Sequence, residues 1–304
     1  MRQRVLITGG SGLLALNWAQ AIRSRCAITL GLHKREISLP GTDTKVIDLE
    51  SVDKLVRVFE QLECQVVIHA AGLTSVEQCE SEPSLAQHVN VTLATNVAKA
   101  CATLGMHLVH VSSDHLFSGQ EPLVTEDQLV APLNVYGKTK AEAELRVREK
   151  NPQALLIRTN IFGWGTSYRT SFSDFVVEAL RSGKEVTLYQ DIFYTPIVIE
   201  TAAKAVHDLI DLKVGGIFNI VGDDRVSKYD FGIALADKFN LDPRGISPGL
   251  FANQPALTQR PLDMSLSNNK VRSLLGRPVG GLQEQMALLH QQELNGLAQE
   301  IRRL

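Results

Sequence analysis

The stretch Arg4-Val5-Leu6-Ile7-Thr8-Gly9-Gly10-Ser11-Gly12-Leu13-Leu14-Ala15 constrains the chain more than any other. An apolar run enters a glycine-rich turn and leaves it as an amphipathic stretch, the pattern of a buried strand joined tightly to a helix. Gly9 permits the sharp exit from the strand, Gly12 lets backbone approach a pyrophosphate, and Ala15 is small enough for the helix to lie against the strand. The helix starting near Ser11 points its dipole and unpaired amides at the turn, where an anion is favoured. Gly9, Ser11, Gly12 and Leu13 therefore read as half of a dinucleotide site, with a plain strand-to-helix link as the alternative.

From residue 1 to about 160 strand and helix patterns alternate. Apolar runs predict strands at Val5 to Thr8, Ala27 to Leu32, Lys45 to Ile47, Val66 to His69, His107 to Val111 and Ala154 to Arg158. Helical patterns run Leu13 to Arg23, Val52 to Gln61, Ser84 to Leu104 and Val135 to Glu149. That alternation predicts an α/β fold, a doubly wound parallel sheet with helices on both faces. A net charge of −2 gives no reason to expect a nucleic-acid partner. Four cysteines, Cys26, Cys64, Cys79 and Cys101, stand far apart without a C-x-x-C pair, so neither a disulfide framework nor a metal site is expected. No stretch reaches the roughly 20 apolar residues of a membrane span, and glycines interrupt the early apolar run before it resembles a secretory signal. A cytoplasmic enzyme is the expectation.

The end of the second strand reads Gly31-Leu32-His33-Lys34-Arg35, with no acid to meet an adenosine 2′-hydroxyl. His33, Lys34 and Arg35 would suit a 2′-phosphate instead, which favours NADP(H) over NAD(H); a solvated basic loop is the alternative. Asp48 and Leu49 follow the third strand, where Asp48 would accept from the adenine amino group or cap the helix near Ser51. Ala70, Ala71 and Gly72 after the fourth strand are small enough for a nucleotide to lie against them. Asn90, inside a predicted helix, reads as a partnered polar residue holding the region of Lys140.

The fifth strand ends in Val111-Ser112-Ser113-Asp114, and Tyr136 and Lys140 follow one helical turn apart. Residues four apart share a helix face, so phenol and ammonium can meet the same ligand. A phenol with pKa near 10 works at neutral pH only with a neighbouring cation, which Lys140 would supply. Ser113, or else Ser112, would hold a substrate carbonyl.

Together these residues resemble the extended short-chain dehydrogenase/reductases over nearly the whole chain. The nearest pattern is that of the dTDP-4-dehydrorhamnose reductases and their relatives, which include the NADP-binding regulatory beta subunit of methionine adenosyltransferase. The likeness is carried by Val111-Ser112-Ser113-Asp114-His115-Leu116-Phe117-Ser118-Gly119, by Ala131-Pro132-Leu133-Asn134-Val135-Tyr136-Gly137-Lys138-Thr139-Lys140 and by Gln259-Arg260-Pro261. The resemblance implies a catalytic set of Ser113, Tyr136 and Lys140, with Tyr136 and Lys140 also at the coenzyme. The family usually has Thr where Ser113 stands, Tyr where His115 stands and Gly where Ala15 stands.

By the same resemblance, residues 1–158 form a Rossmann-type NADP domain to which 193–221 return, Gly216 to Ile220 as a further strand. Residues 159–192 and 222–304 form a smaller α/β substrate-binding lobe. Thr74, Ser112, Asp114, Asn160, Trp164 and Arg260 are the substrate-side candidates. Trp164 would meet the substrate or anchor its loop, and Arg260 would grip a diphosphate or form a surface salt bridge. Leu282 to Arg302 reads as one helix packed on the lobe.

The implied function is NADP(H)-dependent reduction of a nucleotide-linked 4-keto-6-deoxy sugar, in a protein compatible with a homodimer. The alternatives are a nucleotide-sugar epimerase or dehydratase and a non-catalytic NADP-binding regulatory subunit. A dehydratase would be expected to follow the strand-end hydroxyl with Asp and Glu; here Asp114 is followed by His115.

Overall fold

The computed structural model describes residues 2–254 and 256–304. Its main sheet takes β1 (Gln3–Thr8), β2 (Cys26–Leu32), β3 (Asp43–Val46), β4 (Val66–His69), β5 (His107–Val111), β6 (Leu155–Arg158) and β7 (Gly216–Asn219). In space the order is β7-β6-β5-β4-β1-β2-β3, with every neighbouring pair parallel. β4 and β6 are buried throughout because helices cover both faces of the sheet, which is why each reads as three apolar residues in a row before a closing polar one. β3 differs: it is an exposed edge strand that ends at Val46, one residue before the predicted end, and Ile47 turns in to line a cavity.

The helices include α1 (Leu13–Ile22), α2 (Val52–Leu62), α3 (Leu93–Leu104), α4 (Val135–Lys150), α5 (Phe172–Arg181), α6 (Ile199–Asp211), α7 (Lys228–Lys238), α8 (Leu282–Leu294) and α9 (Leu297–Arg302). α1 and α6 cover one face of the sheet, where the Trp18 indole donates to His207 Nε2 at 3.3 Å. α2, α3 and α4 cover the other face over a second core containing Leu55, Phe59, Val97 and Ala143. Each of the larger side chains removed from water, Leu55, Phe59 and Val97, contributes about 1.5–3 kcal/mol. All four cysteines are free and buried.

The connections explain where the patterns were misleading. The predicted helix Ser84 to Leu104 is three pieces in succession: Pro83–Gln87, a π-helical turn at His88–Thr92, and α3. The wide turn carries Asn90, and such bulges commonly occur at functional sites. The predicted final helix breaks at Gly296, whose φ of 78° ends the run and starts α9. The break turns Glu300 toward α1, where it accepts from Gln20 and pairs with Arg23 at 2.8 Å.

Three two-stranded pairings complete the C-terminal half: Ile161–Phe162 with Ile197–Val198, Val186–Tyr189 with Ile246–Gly249, and Phe193–Tyr194 with Val226–Ser227. No helix among the described residues is long and apolar enough to cross a membrane.

Candidate active site

The strand order reverses between β1 and β4, and in parallel sheets the crevice beyond the carboxyl ends at such a point receives the ligand. A cavity of about 860 Å3 opens there. One wall is the turn after β1. Gly9 has φ of +69°, and a Cβ on it would lie 2.8 Å from the backbone of Ala71 across the crevice. Gly12 caps α1 through its backbone and donates to the Gly9 carbonyl at 2.8 Å. No side chain caps α1, so its first-turn amides, beside the cavity-lining Ser11, Gly12, Leu13 and Leu14, remain for a ligand. A cradle that a single methyl would close, with unspent amides at its floor, fits a dinucleotide.

Ala70, Ala71, Gly72, His33, Asp48 and Leu49 line the same cavity. The Asp48 carboxylate accepts from Glu50 N–H and from Lys54, which hold it below its usual pKa, while Ser51 caps α2. Lys34 and Arg35 do not line the cavity, against expectation: Lys34 is exposed, and the Arg35 guanidinium lies 3.8 Å over the Tyr168 ring. The Tyr168 hydroxyl donates to the Ser11 carbonyl at 2.7 Å, and neighbouring Arg169 donates to Thr74 Oγ1 at 2.7 Å. One loop thus straps the glycine turn to the segment after β4.

At the other end of the cavity stand Ser112, Ser113 and Asp114, all buried, beside Tyr136 and Lys140 on α4. Asn134 starts that helix by accepting from Gly137 N–H at 2.8 Å. Farther along, a buried pair between Glu144 and Arg158 at 2.8 Å ties α4 to β6. Burial pushes the Tyr136 phenol up to about 12, opposed by a hydrogen bond from Ser113. Burial pulls Lys140 down to about 8, with Glu144 opposing. The expectation that Lys140 lowers the Tyr136 pKa is therefore corrected: desolvation outweighs any such effect, and the Lys140 ammonium donates to the Val111 carbonyl at 2.7 Å. At neutral pH Tyr136 is a phenol with a proton to give.

The surrounding groups hold this end in place. Asn90 accepts from Leu73 N–H at 2.8 Å and donates to the Leu73 carbonyl and to Thr139 Oγ1, joining the segment after β4 to the residue beside Lys140. Asp114 accepts from the Asn160 amide and stands 3.2 Å from Ser113 Oγ. His115 sets its ring edge-on to Tyr136 at 5.4 Å. Through His115, Asn160 and Phe172 the cavity adjoins a second one of about 370 Å3, also lined by Tyr189, Phe251, Lys228 and Arg260.

Residues 3–294 match the family model described as the RmlD substrate binding domain. The chain belongs to that family. This RmlD-family chain is 29% identical over 282 residues to methionine adenosyltransferase 2 subunit beta of Mus musculus, covering 90% of this chain and 82% of the relative. It is 27% identical over 286 residues to a dTDP-4-dehydrorhamnose reductase of Aggregatibacter actinomycetemcomitans, covering 90% and 93%. The fold superposes with a TM-score of 0.85 on a dTDP-4-dehydrorhamnose reductase from Bacillus anthracis str. Ames in complex with NADP, at 23% identity and covering 96% and 100%. The likeness to the dTDP-4-dehydrorhamnose reductases and their relatives drawn from the motifs is borne out.

In this RmlD-family member the structure gathers most of the predicted site residues around one connected space. Thr74, Ser112, Asp114 and Asn160 line the larger cavity and Arg260 the smaller, where Arg260 also pairs with Glu77. Trp164 lines neither, correcting its placement at the substrate: it is 0% exposed, edge-on to Phe239 and beneath the Arg302 guanidinium. It anchors its loop. Sequence reasoning missed Arg169 in the wall of the larger cavity, Lys228 in the wall of the smaller, and Tyr168, which braces the glycine turn; an aromatic-basic pair in a turn-rich stretch was the faint signal for Tyr168 and Arg169.

Proposed function

We infer that this chain is an NADP(H)-dependent reductase of a nucleotide-linked 4-keto-6-deoxy sugar. The observation that carries the reading is Tyr136: a buried phenol, kept protonated, beside Ser113 in the cavity that the glycine turn opens. Reduction of a carbonyl needs a proton on its oxygen, and Tyr136 is the donor. Ser113 orients that oxygen, and Lys140, with one of its three protons on Val111, has two left for the phenolate that forms or for a ribose hydroxyl. Residues 9–13 and 70–72 hold the coenzyme, which when bound supplies the hydride. Preference for NADP(H) is supported by the absence of a carboxylate at the end of β2 and by His33 in the cavity, with exposed Lys34 beside it.

The test is loss of NADPH absorbance against a panel of nucleotide-linked 4-keto-6-deoxy sugars. The wild-type chain reduces one member, with NADH a poor substitute. Tyr136→Phe lowers kcat at least a thousandfold with NADPH affinity nearly unchanged; wild-type turnover in that variant sinks the mechanism. The likeness to methionine adenosyltransferase 2 subunit beta supports a second reading, an NADP-binding regulatory subunit. Binding of NADPH without reduction of any panel member, together with recovery of one stoichiometric protein partner, would favour it.

A further inference from the structure

Lys228, the first residue of α7, is placed against every ordinary preference of a lysine. It stands at the positive end of the helix dipole, where a cation is disfavoured. Its surroundings are protein on most sides, and burial pulls its pKa down to about 8. Its ammonium rests 3.4 Å over the Tyr194 ring and 4.7 Å from the Phe172 ring, and no oxygen of a described residue accepts from it. Aromatic faces offset only part of what an ammonium loses on leaving water. The open part of the side chain faces the 370 Å3 cavity.

The neighbouring charges are already engaged. Arg260, the other cation lining this cavity, is paired with Glu77, and Arg225 with Asp263. Asp114 is the acid whose charge acts on Lys228, and it is held by Asn160 and Ser113. No carboxylate is among the residues lining the smaller cavity, while Phe172, Phe175, Tyr189 and Phe251 supply aromatic faces. The cavity therefore combines one unpaired cation, one paired cation and surfaces suited to a planar ring. That is the chemistry of an anion carried on a heterocyclic base.

We propose that Lys228 binds the diphosphate of a nucleoside diphosphate ligand in the smaller cavity, supplying the charge that Arg260 divides with Glu77. The inference rests on the reading of the substrate as nucleotide-linked and adds a binding residue and its role to it.

The experiment is calorimetric titration of the NADPH-saturated chain with dTDP and UDP, with thymidine and uridine as uncharged controls. Lys228→Met weakens binding of the diphosphate at least tenfold, and Lys228→Arg recovers most of the loss. NADPH affinity stays at the wild-type value in both, which reports an intact fold. Lys228→Gln repeats the measurement with a polar neutral side chain in case methionine disturbs the packing against Tyr194. A wild-type chain that binds dTDP or UDP, with neutral variants that bind it equally well, overturns the role of Lys228 and leaves the nucleotide-sugar reading standing. A wild-type chain that binds neither diphosphate overturns both.

Discussion

Replacing Gly9 with alanine tests the geometry of the coenzyme crevice directly. An L-residue held at φ of +69° costs about 1–2 kcal/mol. The added Cβ would also lie 2.8 Å from Cα and N of Ala71, well inside ordinary contact, and neither atom belongs to a side chain that can swing away. Overpacking of this kind costs about 1–3 kcal/mol. With an unfolding entropy of roughly 0.6 kcal/mol/K for a chain of 304 residues, a combined loss of about 2–5 kcal/mol lowers the Tm by about 3–8 °C. Gly105→Ala is the control: φ is +63° and nothing lies within 4 Å of the added carbon, so only the conformational cost of about 1–2 kcal/mol applies. The assay is thermal unfolding with and without NADPH. Coenzyme at a hundred times its Kd stabilises a binding-competent chain by about 2.7 kcal/mol, roughly 4 °C here. Gly105→Ala keeps that gain, whereas Gly9→Ala loses more than half of it because Ala71 has moved. Equal Tm losses and equal coenzyme gains in the two variants would refute the reasoning.

Three further outcomes follow from the site. Asn90→Ala, which strips the Leu73 amide of its acceptor and Thr139 of a donor, lowers kcat at least tenfold in steady-state assays while costing about 1–3 kcal/mol in denaturant unfolding. NADPH affinity falls as pH rises through about 8, because the depressed Lys140 ammonium loses its proton there; titrations from pH 6 to 9.5 show this slope in the wild type and none in Lys140→Met. Glu144→Gln leaves the Arg158 guanidinium buried without its counter-charge and destabilises the fold by about 3 kcal/mol, and the double change with Arg158→Met recovers part of that loss in the same melts.

The sheet was legible because the centres of β4, β5 and β6 are buried on both faces and carry short apolar runs; at the exposed edge strand β3 that signal fails and the boundary moves. Tyr136 and Lys140 could be paired because helix geometry brings residues four apart together. The π turn at Asn90 could not be seen, since a wide turn and a regular one share the same apolar spacing over so few residues. Trp164 and Arg35 were misplaced for a related reason. Aromatic and basic side chains in loops face whichever neighbour the fold supplies, and here Phe239 and Arg302 enclosed the one while Tyr168 captured the other. Lys228 carries no local mark at all: its meaning comes from Tyr194, Phe172 and Arg260, residues far from it in the chain or on other elements.

The strap formed by Tyr168 and Arg169 gives the protein a clock. Its two hydrogen bonds, to Ser11 and Thr74, span opposite rims of the crevice from consecutive positions, so a dinucleotide held beneath it would have to break both to leave. Each such bond contributes about 0.5–1.5 kcal/mol, which makes release a local opening event far cheaper than unfolding yet slower than free diffusion. On the reductase reading, departure of the coenzyme would then be set by the opening of this loop rather than by the chemistry.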